Sequence, residues 1–187
     1  MCGIVGVFGT NDQLLNHALD RLVHRGPDGR AVQRLSHGTL GHVRLSIVDL
    51  EGGRQPMSDA SGARWLVCNG EIYNHQTLRS CYPGYPYKTQ SDSEVILAVY
   101  EHAGLEGIAR LDGMFAFALI DGDRLVLARD PLGIKPLYYG WKEGTLYFAS
   151  EIKALQDIVE PVIEFPPGYW YSSMAGFVPY YQLEAAA

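Results

Sequence analysis

Cysteine is scarce and unpatterned in this chain of 187 residues: Cys2, Cys68 and Cys81 form an odd set without a Cys-x-x-Cys spacing. That argues against a disulfide framework and a cysteine zinc site, and for a reducing compartment. The histidines are scattered, with neither a His-Glu-x-x-His nor another compact ligand set, so no metal is expected. No Lys/Arg cluster offsets the net charge of -6, which excludes a general nucleic-acid binder. Eighteen consecutive apolar residues occur nowhere, and no basic segment followed by a long apolar run opens the chain. Neither a membrane span nor a signal peptide is expected, and a soluble, cytoplasmic protein is. Internal repeats and low-complexity segments are also missing. What remains is ordinary globular composition, 47% hydrophobic and 19% charged, at a length suited to one domain and short for two.

The pattern of apolar residues predicts mostly strands. Cys2 to Phe8 is apolar on both alternating faces, as a strand covered on both sides would be. Asn11 opens a helical pattern with Leu14, Leu15, Ala18, Leu19, Leu22 and Val23 on one face, ended by Gly26-Pro27. The segment His24-Arg25-Gly26-Pro27-Asp28-Gly29 is a loop with an unusual backbone path. Strands are expected over 40–50 and 64–68. A capping box, Ser91-Asp92-Ser93-Glu94, begins a helix that Gly104 closes. Residues 114–121 alternate large and small apolar side chains, and Asp121-Gly122 turns them into a hairpin with 124–129. A second hairpin is expected from 137–141 and 145–150, then a short helix at 151–156 and short strands over 161–179. Many hairpin-linked strands buried on both faces, with few helices, imply an α+β fold of two stacked antiparallel sheets covered outside by helices.

Four places carry candidate chemistry, each with a plain structural alternative. Cys2 follows the initiator methionine directly, so removal of Met1 would put a thiol and a free α-amine on one residue, a nucleophile and a base together. Equally, a cysteine in an apolar strand serves as a small core residue. Asn69-Gly70 pairs a side-chain amide with a sterically open backbone N–H, the donor pair an oxyanion requires, but Asn-Gly is also the commonest hairpin turn. Arg44 sits in an apolar run where a charge needs a partner, either an internal carboxylate or that of a small ligand. Asp92 begins a helix, where it either favours the dipole or accepts a ligand ammonium. An Arg and an Asp across one pocket would grip both charged ends of a free amino acid.

With these residues in place, the chain resembles the class II glutamine amidotransferase domain, an N-terminal-nucleophile hydrolase, and most of all the glutaminase half of glutamine-dependent asparagine synthetases. The resemblance runs through Met1-Cys2-Gly3-Ile4, His24-Arg25-Gly26-Pro27-Asp28, Arg44-Leu45-Ser46-Ile47-Val48-Asp49, Gln55-Pro56, Asn69-Gly70-Glu71-Ile72-Tyr73-Asn74, Ser91-Asp92, residues 113–118 and Arg129-Asp130-Pro131-Leu132-Gly133. It implies a four-layer αββα sandwich. It also implies Cys2 as nucleophile, Asn69 and Gly70 as oxyanion hole, Arg44 on the glutamine α-carboxylate and Asp92 with Glu71 on its α-amine. The backbone at Ile47 and Val48 would line the pocket. Arg25 is expected to shape the loop beside the site rather than to take part in the chemistry. Gln90 stands where these synthetases often carry a small residue.

The same resemblance implies a missing part. The synthetases continue into an ATP-pyrophosphatase domain with a Ser-Gly-Gly-x-Asp-Ser loop, and this sequence contains none. The expected domain therefore spans 1–180, with 181–187 a linker remnant or appended tail. No cofactor is expected in this chain, ATP and Mg being needed only by a missing synthetase domain. The implied partners are L-glutamine and a synthetase domain or subunit that receives ammonia, with a homodimer compatible, and with no nucleic acid and no membrane. Two other functions stay open: a catalytically silent docking module of a synthetase, and an N-terminal-nucleophile amidase for another amide.

Overall fold

Strand β1, Gly3–Phe8, has apolar side chains on both faces, and each face leads to a different core. The structure is a computed structural model that describes residues 2–9, 12, 15–45 and 53–182. Two six-stranded sheets are stacked. The first has the order β10-β8-β9-β1-β3-β2, from strands Ile163–Glu164, Tyr138–Lys142, Thr145–Ala149, β1, Gly38–Arg44 and Gly29–Leu35. The second has the order β12-β11-β7-β6-β5-β4, from Gly176–Pro179, Tyr169–Ser172, Arg124–Arg129, Gly113–Asp121, Arg64–Ile72 and Met57–Ser58. All the ladders described are antiparallel.

The side-chain period of two sorts residues between layers. Ile4 and Leu40 of the first sheet meet Val67, Ala116, Ala118, Leu125 and Leu127 of the second in the inner core. Val5, Val7 and Val43 face outward onto helix α1, Leu15–Asp20, and onto Ala154, Leu155 and Ile158. Leu66, Cys68, Phe115 and Phe117 face outward under helices α2, His75–Cys81, and α3, Val95–Ala103. Helices therefore cover both outer faces, and the architecture is the four-layer sandwich that the motifs implied.

Several local expectations differ from the structure. The helical pattern persists only to Asp20 and gives way to a 3-10 turn at Val23–Arg25, so Val23 is 45% exposed instead of packed; Asn11 and Leu14 lie outside the described residues. Strand β3 ends at Arg44, and residues 46–50 of the expected 40–50 strand fall outside the described residues. Edge strand β2 was not anticipated, because its mostly polar residues give no clean alternation. Ser91 makes no capping bond. Glu94 instead reaches further back and accepts the N–H groups of Lys88 at 2.7 Å and Thr89 at 2.9 Å, so a buried carboxylate braces the approach to Asp92. The helix expected over 151–156 is a 3-10 turn at Ile152–Ala154.

Candidate active site

The layer arithmetic brings most of the singled-out residues into one gap. On β1, Ile4 faces the inner core, and Cys2 follows the same parity at the strand's entrance. On β3, Leu40 faces inward, and so do His42 and Arg44, His42 lying opposite Ile4 in the register. On β5, Val67 faces inward and Asn69 with it. Cys2 is half-buried, and its thiol lies 3.8 Å from the Leu45 carbonyl. Burial pushes the Cys68 thiol well above the usual thiol range, and Asp92 and Cys2 add to the shift, which puts all three residues in one electrostatic neighbourhood.

Asn69-Gly70 is not a turn. Both residues lie inside β5, paired with Ala116 and Phe115 of β6, because β6 runs unbroken past them. A Cβ on residue 70 would sit 2.3 Å from the Met114 carbonyl oxygen, so the ladder itself requires glycine there. Among the described residues no strand pairs with the other edge of β5 at this point, since β4 pairs only as far as Leu66. On that edge the Cys68 N–H donates to Gln55 Oε1 at 2.5 Å and the Ile72 N–H to Asp92 Oδ2 at 2.7 Å. Backbone groups two residues apart point the same way, so the Gly70 N–H lies between these two bonds and faces the same bare edge. Asn69 is 1% exposed, and among the described residues its Nδ2 has no hydrogen-bond partner. A buried amide donor left unmade costs about 1–3 kcal/mol, which makes Asn69 a candidate donor to a ligand.

Glu71 is exposed at the end of β5 beside this edge, and Asp92, half-buried, is tied to it through Ile72. Ile47 and Val48 lie outside the described residues, as does Met1.

A second network mounts the residue just before the strand. Arg25 donates through Nε to the Cys2 carbonyl at 2.9 Å and through Nη1 to Glu151 Oε1 at 2.8 Å. Glu151 also meets His24 at 3.0 Å and Lys153 at 3.1 Å. Arg25 thus touches the backbone of Cys2, in keeping with a shaping role. The loop that carries it locks onto Arg44: Pro27 bridges Arg44, the Asp28 N–H donates to the Arg44 carbonyl at 2.9 Å, and a Cβ on Gly26 would lie 2.4 Å from the Arg44 nitrogen. One loop therefore fixes Cys2 and Arg44 together.

Partial burial raises the Glu151 carboxyl, but the bonds from Arg25, His24 and Lys153 outweigh it and hold the group down, from 4.5 to about 2. A lowered folded-state value stabilises above the unfolded value and is lost as pH falls through the folded one. Glu151→Gln should therefore flatten the acid side of the stability profile between pH 4.5 and about 2. Urea midpoints of both proteins across that window measure it, and parallel profiles would contradict the network.

His42 is a functional candidate that motif spacing passed over, and Gln55 entered only through the Gln55-Pro56 motif, without a role. His42 is 1% exposed with Nε2 unpartnered among the described residues; burial first, then the Arg44 charge, lower its pKa to about 4 against an opposing Cys68 backbone contact, so the ring is neutral. A polar residue two positions before Arg44 in an apolar strand was the available signal. His42, Arg44, Arg54 and Gln55, with residues 28–31, line a cavity of about 360 Å³. That volume suits a small ligand. Among the described residues, no three His, Cys, Asp or Glu side chains are grouped to hold a metal ion, and no helix is long and apolar enough to cross a membrane.

An amine-adjacent thiol, two amide donors and an arginine around one gap are what a thiol acyl-transfer site on an amide substrate requires. Residues 1–167 match the family described as the glutamine amidotransferase domain. The chain belongs to the glutamine amidotransferase family. Among similar amidotransferase relatives, asparagine synthetase B (glutamine-hydrolysing) of Escherichia coli K12 is 46% identical over 186 residues, covering 94% of this chain and 34% of that protein. Asparagine synthetase 2 (glutamine-hydrolysing) of rice is 43% identical over 185 residues, covering 94% and 31%. The chain spans about a third of the length of these curated relatives. The glutamine phosphoribosylpyrophosphate amidotransferase of B. subtilis shares the fold at a TM-score of 0.78 and 24% identity, over 95% of this chain and 48% of that one. The allosteric regulatory enzyme of purine biosynthesis does so at 0.81 and 23%, over 97% and 50%.

Proposed function

We propose that the domain, taken as residues 1–180, hydrolyses the side-chain amide of L-glutamine to glutamate and ammonia through Cys2. The observation that carries the proposal is the buried Asn69 amide, without a partner among the described residues, beside the Gly70 N–H and on the inward face that strand parity gives Cys2 as well. The Cys2 thiolate attacks the amide carbon while the free α-amine of Cys2 takes the thiol proton, through a water if direct transfer is strained. The Asn69 amide and Gly70 N–H hold the resulting oxyanion. Collapse breaks the C–N bond, the protonated amine returns its proton to the leaving nitrogen, and ammonia departs from a γ-glutamyl thioester. Water then adds to the thioester, and the thiol leaves with glutamate as product.

Arg44 would take the substrate α-carboxylate by its bidentate fork, and Asp92 with Glu71 the α-ammonium. Backbone groups at Ile47 and Val48 would complete the pocket. The α-amine must be free for this chemistry, so Met1 has to be removed. The chain itself would need no cofactor; the ammonia would go to an ATP- and Mg-dependent synthetase domain or subunit of the asparagine-synthetase type in the cytoplasm, a homodimer being compatible. The test is to incubate the processed protein with L-glutamine and measure glutamate and ammonia, then record intact mass after 6-diazo-5-oxo-norleucine. Equimolar products and one adduct on Cys2 are expected. Absence of both from protein lacking Met1 would overturn the assignment.

A further inference from the structure

The bare edge of β5 sets a mechanical problem. Oxyanion donors must be held to a fraction of an ångström, yet Asn69 and Gly70 lie on a stretch of β5 whose outer edge has no strand beside it among the described residues. On that edge β4 gives out after Met57 pairs with Leu66. The next outward-facing N–H, that of Cys68, is taken at 2.5 Å by the side-chain oxygen of Gln55, two residues before β4 begins. Gln55 is 8% exposed, so this bond is shielded from water. The backbone of the same residue is approached from the facing sheet by His42. Gln55 therefore continues by side chain the ladder that β4 ends by backbone, one residue before the first oxyanion donor.

We infer that Gln55 is a positioning residue for the oxyanion hole: its bond to the Cys68 N–H sets the plane of β5 so that the Asn69 amide and the Gly70 N–H converge on one point. The inference rests on the proposed glutamine hydrolysis. Gln55 does not touch the reacting atoms in this scheme; it also lines the cavity beside Arg44, so its replacement trims that cavity while the thiol and the Arg44 fork stay in place. The effect must then fall more heavily on the chemical step than on binding, since misplacing a donor by about an ångström costs up to roughly a hundredfold.

The experiment compares Gln55→Leu, which keeps size but removes the acceptor, with Gln55→Glu, which keeps an acceptor oxygen. For Gln55→Leu, kcat for glutamine hydrolysis should fall about tenfold to a hundredfold. The rate of Cys2 alkylation by iodoacetamide, which needs no oxyanion hole, should stay within about twofold, glutamate affinity should change much less than kcat, and Gln55→Glu should recover most of the loss. Amide hydrogen exchange at Cys68 and Gly70 should quicken in Gln55→Leu and return in Gln55→Glu. Unchanged kcat and exchange in Gln55→Leu would overturn the inference. So would equal losses of kcat, glutamate affinity and alkylation, which would mean simple collapse. If the unaltered protein hydrolyses no glutamine, the functional proposal fails on its own, and the exchange pattern still reports whether Gln55 holds the strand.

Discussion

Cys2→Ala is expected to lower glutamine hydrolysis on the order of ten-thousandfold or more, because it removes the group on which every later step depends. Glutamate binding should change little, since the α-carboxylate and α-ammonium contacts assigned to Arg44, Glu71 and Asp92 do not involve the thiol. The other two cysteines make the comparison informative. Cys81 is exposed at the end of α2, and Cys81→Ala should leave the rate alone. Cys68 is fully buried, with its thiol held protonated by that burial, so it cannot stand in for Cys2. Steady-state kinetics with coupled ammonia detection would measure the effect. Residual activity within tenfold of the parent protein would rule Cys2 out as nucleophile.

Asn69→Ala should separate stability from activity. Loss of one oxyanion donor costs roughly a hundredfold to a thousandfold in kcat, with little change in KM. In the free protein, however, the Asn69 Nδ2 is buried without a partner among the described residues, so removing it relieves a desolvation cost even as a small void opens. The melting temperature is therefore expected to hold or rise while kcat collapses, the opposite of an ordinary core truncation. Calorimetry beside kinetics tests both signs. A large fall in melting temperature would mean that the amide is structural.

How far the sequence announced this arrangement depended on how local each signal was. The hairpin of β6 and β7 was legible almost to the residue, because large and small apolar side chains alternate on two covered faces and Asp121-Gly122 marks the turn. Helix α2 was not, because only Leu78 of its seven residues is buried and no apolar stripe develops. Cys2, Arg44 and Asp92 stood out as reactive or charged groups in unexpected places. Asn69-Gly70 pointed both ways: as a dipeptide it favours a turn, and only a long partner strand, β6, holds it extended. His42 and Gln55 were given no role for a different reason, although Gln55-Pro56 was among the motifs and His42 interrupts an apolar strand. Their place in the site arises where segments distant in sequence meet at Cys68, and no spacing along the chain encodes that meeting.

The bare edge of β5 also bears on what the domain avoids. An unpaired strand edge is a template for another chain, and edge-to-edge addition needs a row of alternate free N–H and C=O groups. Here the amides on either side of Gly70 are already spoken for, one by a glutamine and one by an aspartate. Among the described residues, the stretch left between those two bonds is too short for a strand to dock against. Under the proposed function the same gap would admit the single oxygen atom of an oxyanion while refusing a polypeptide.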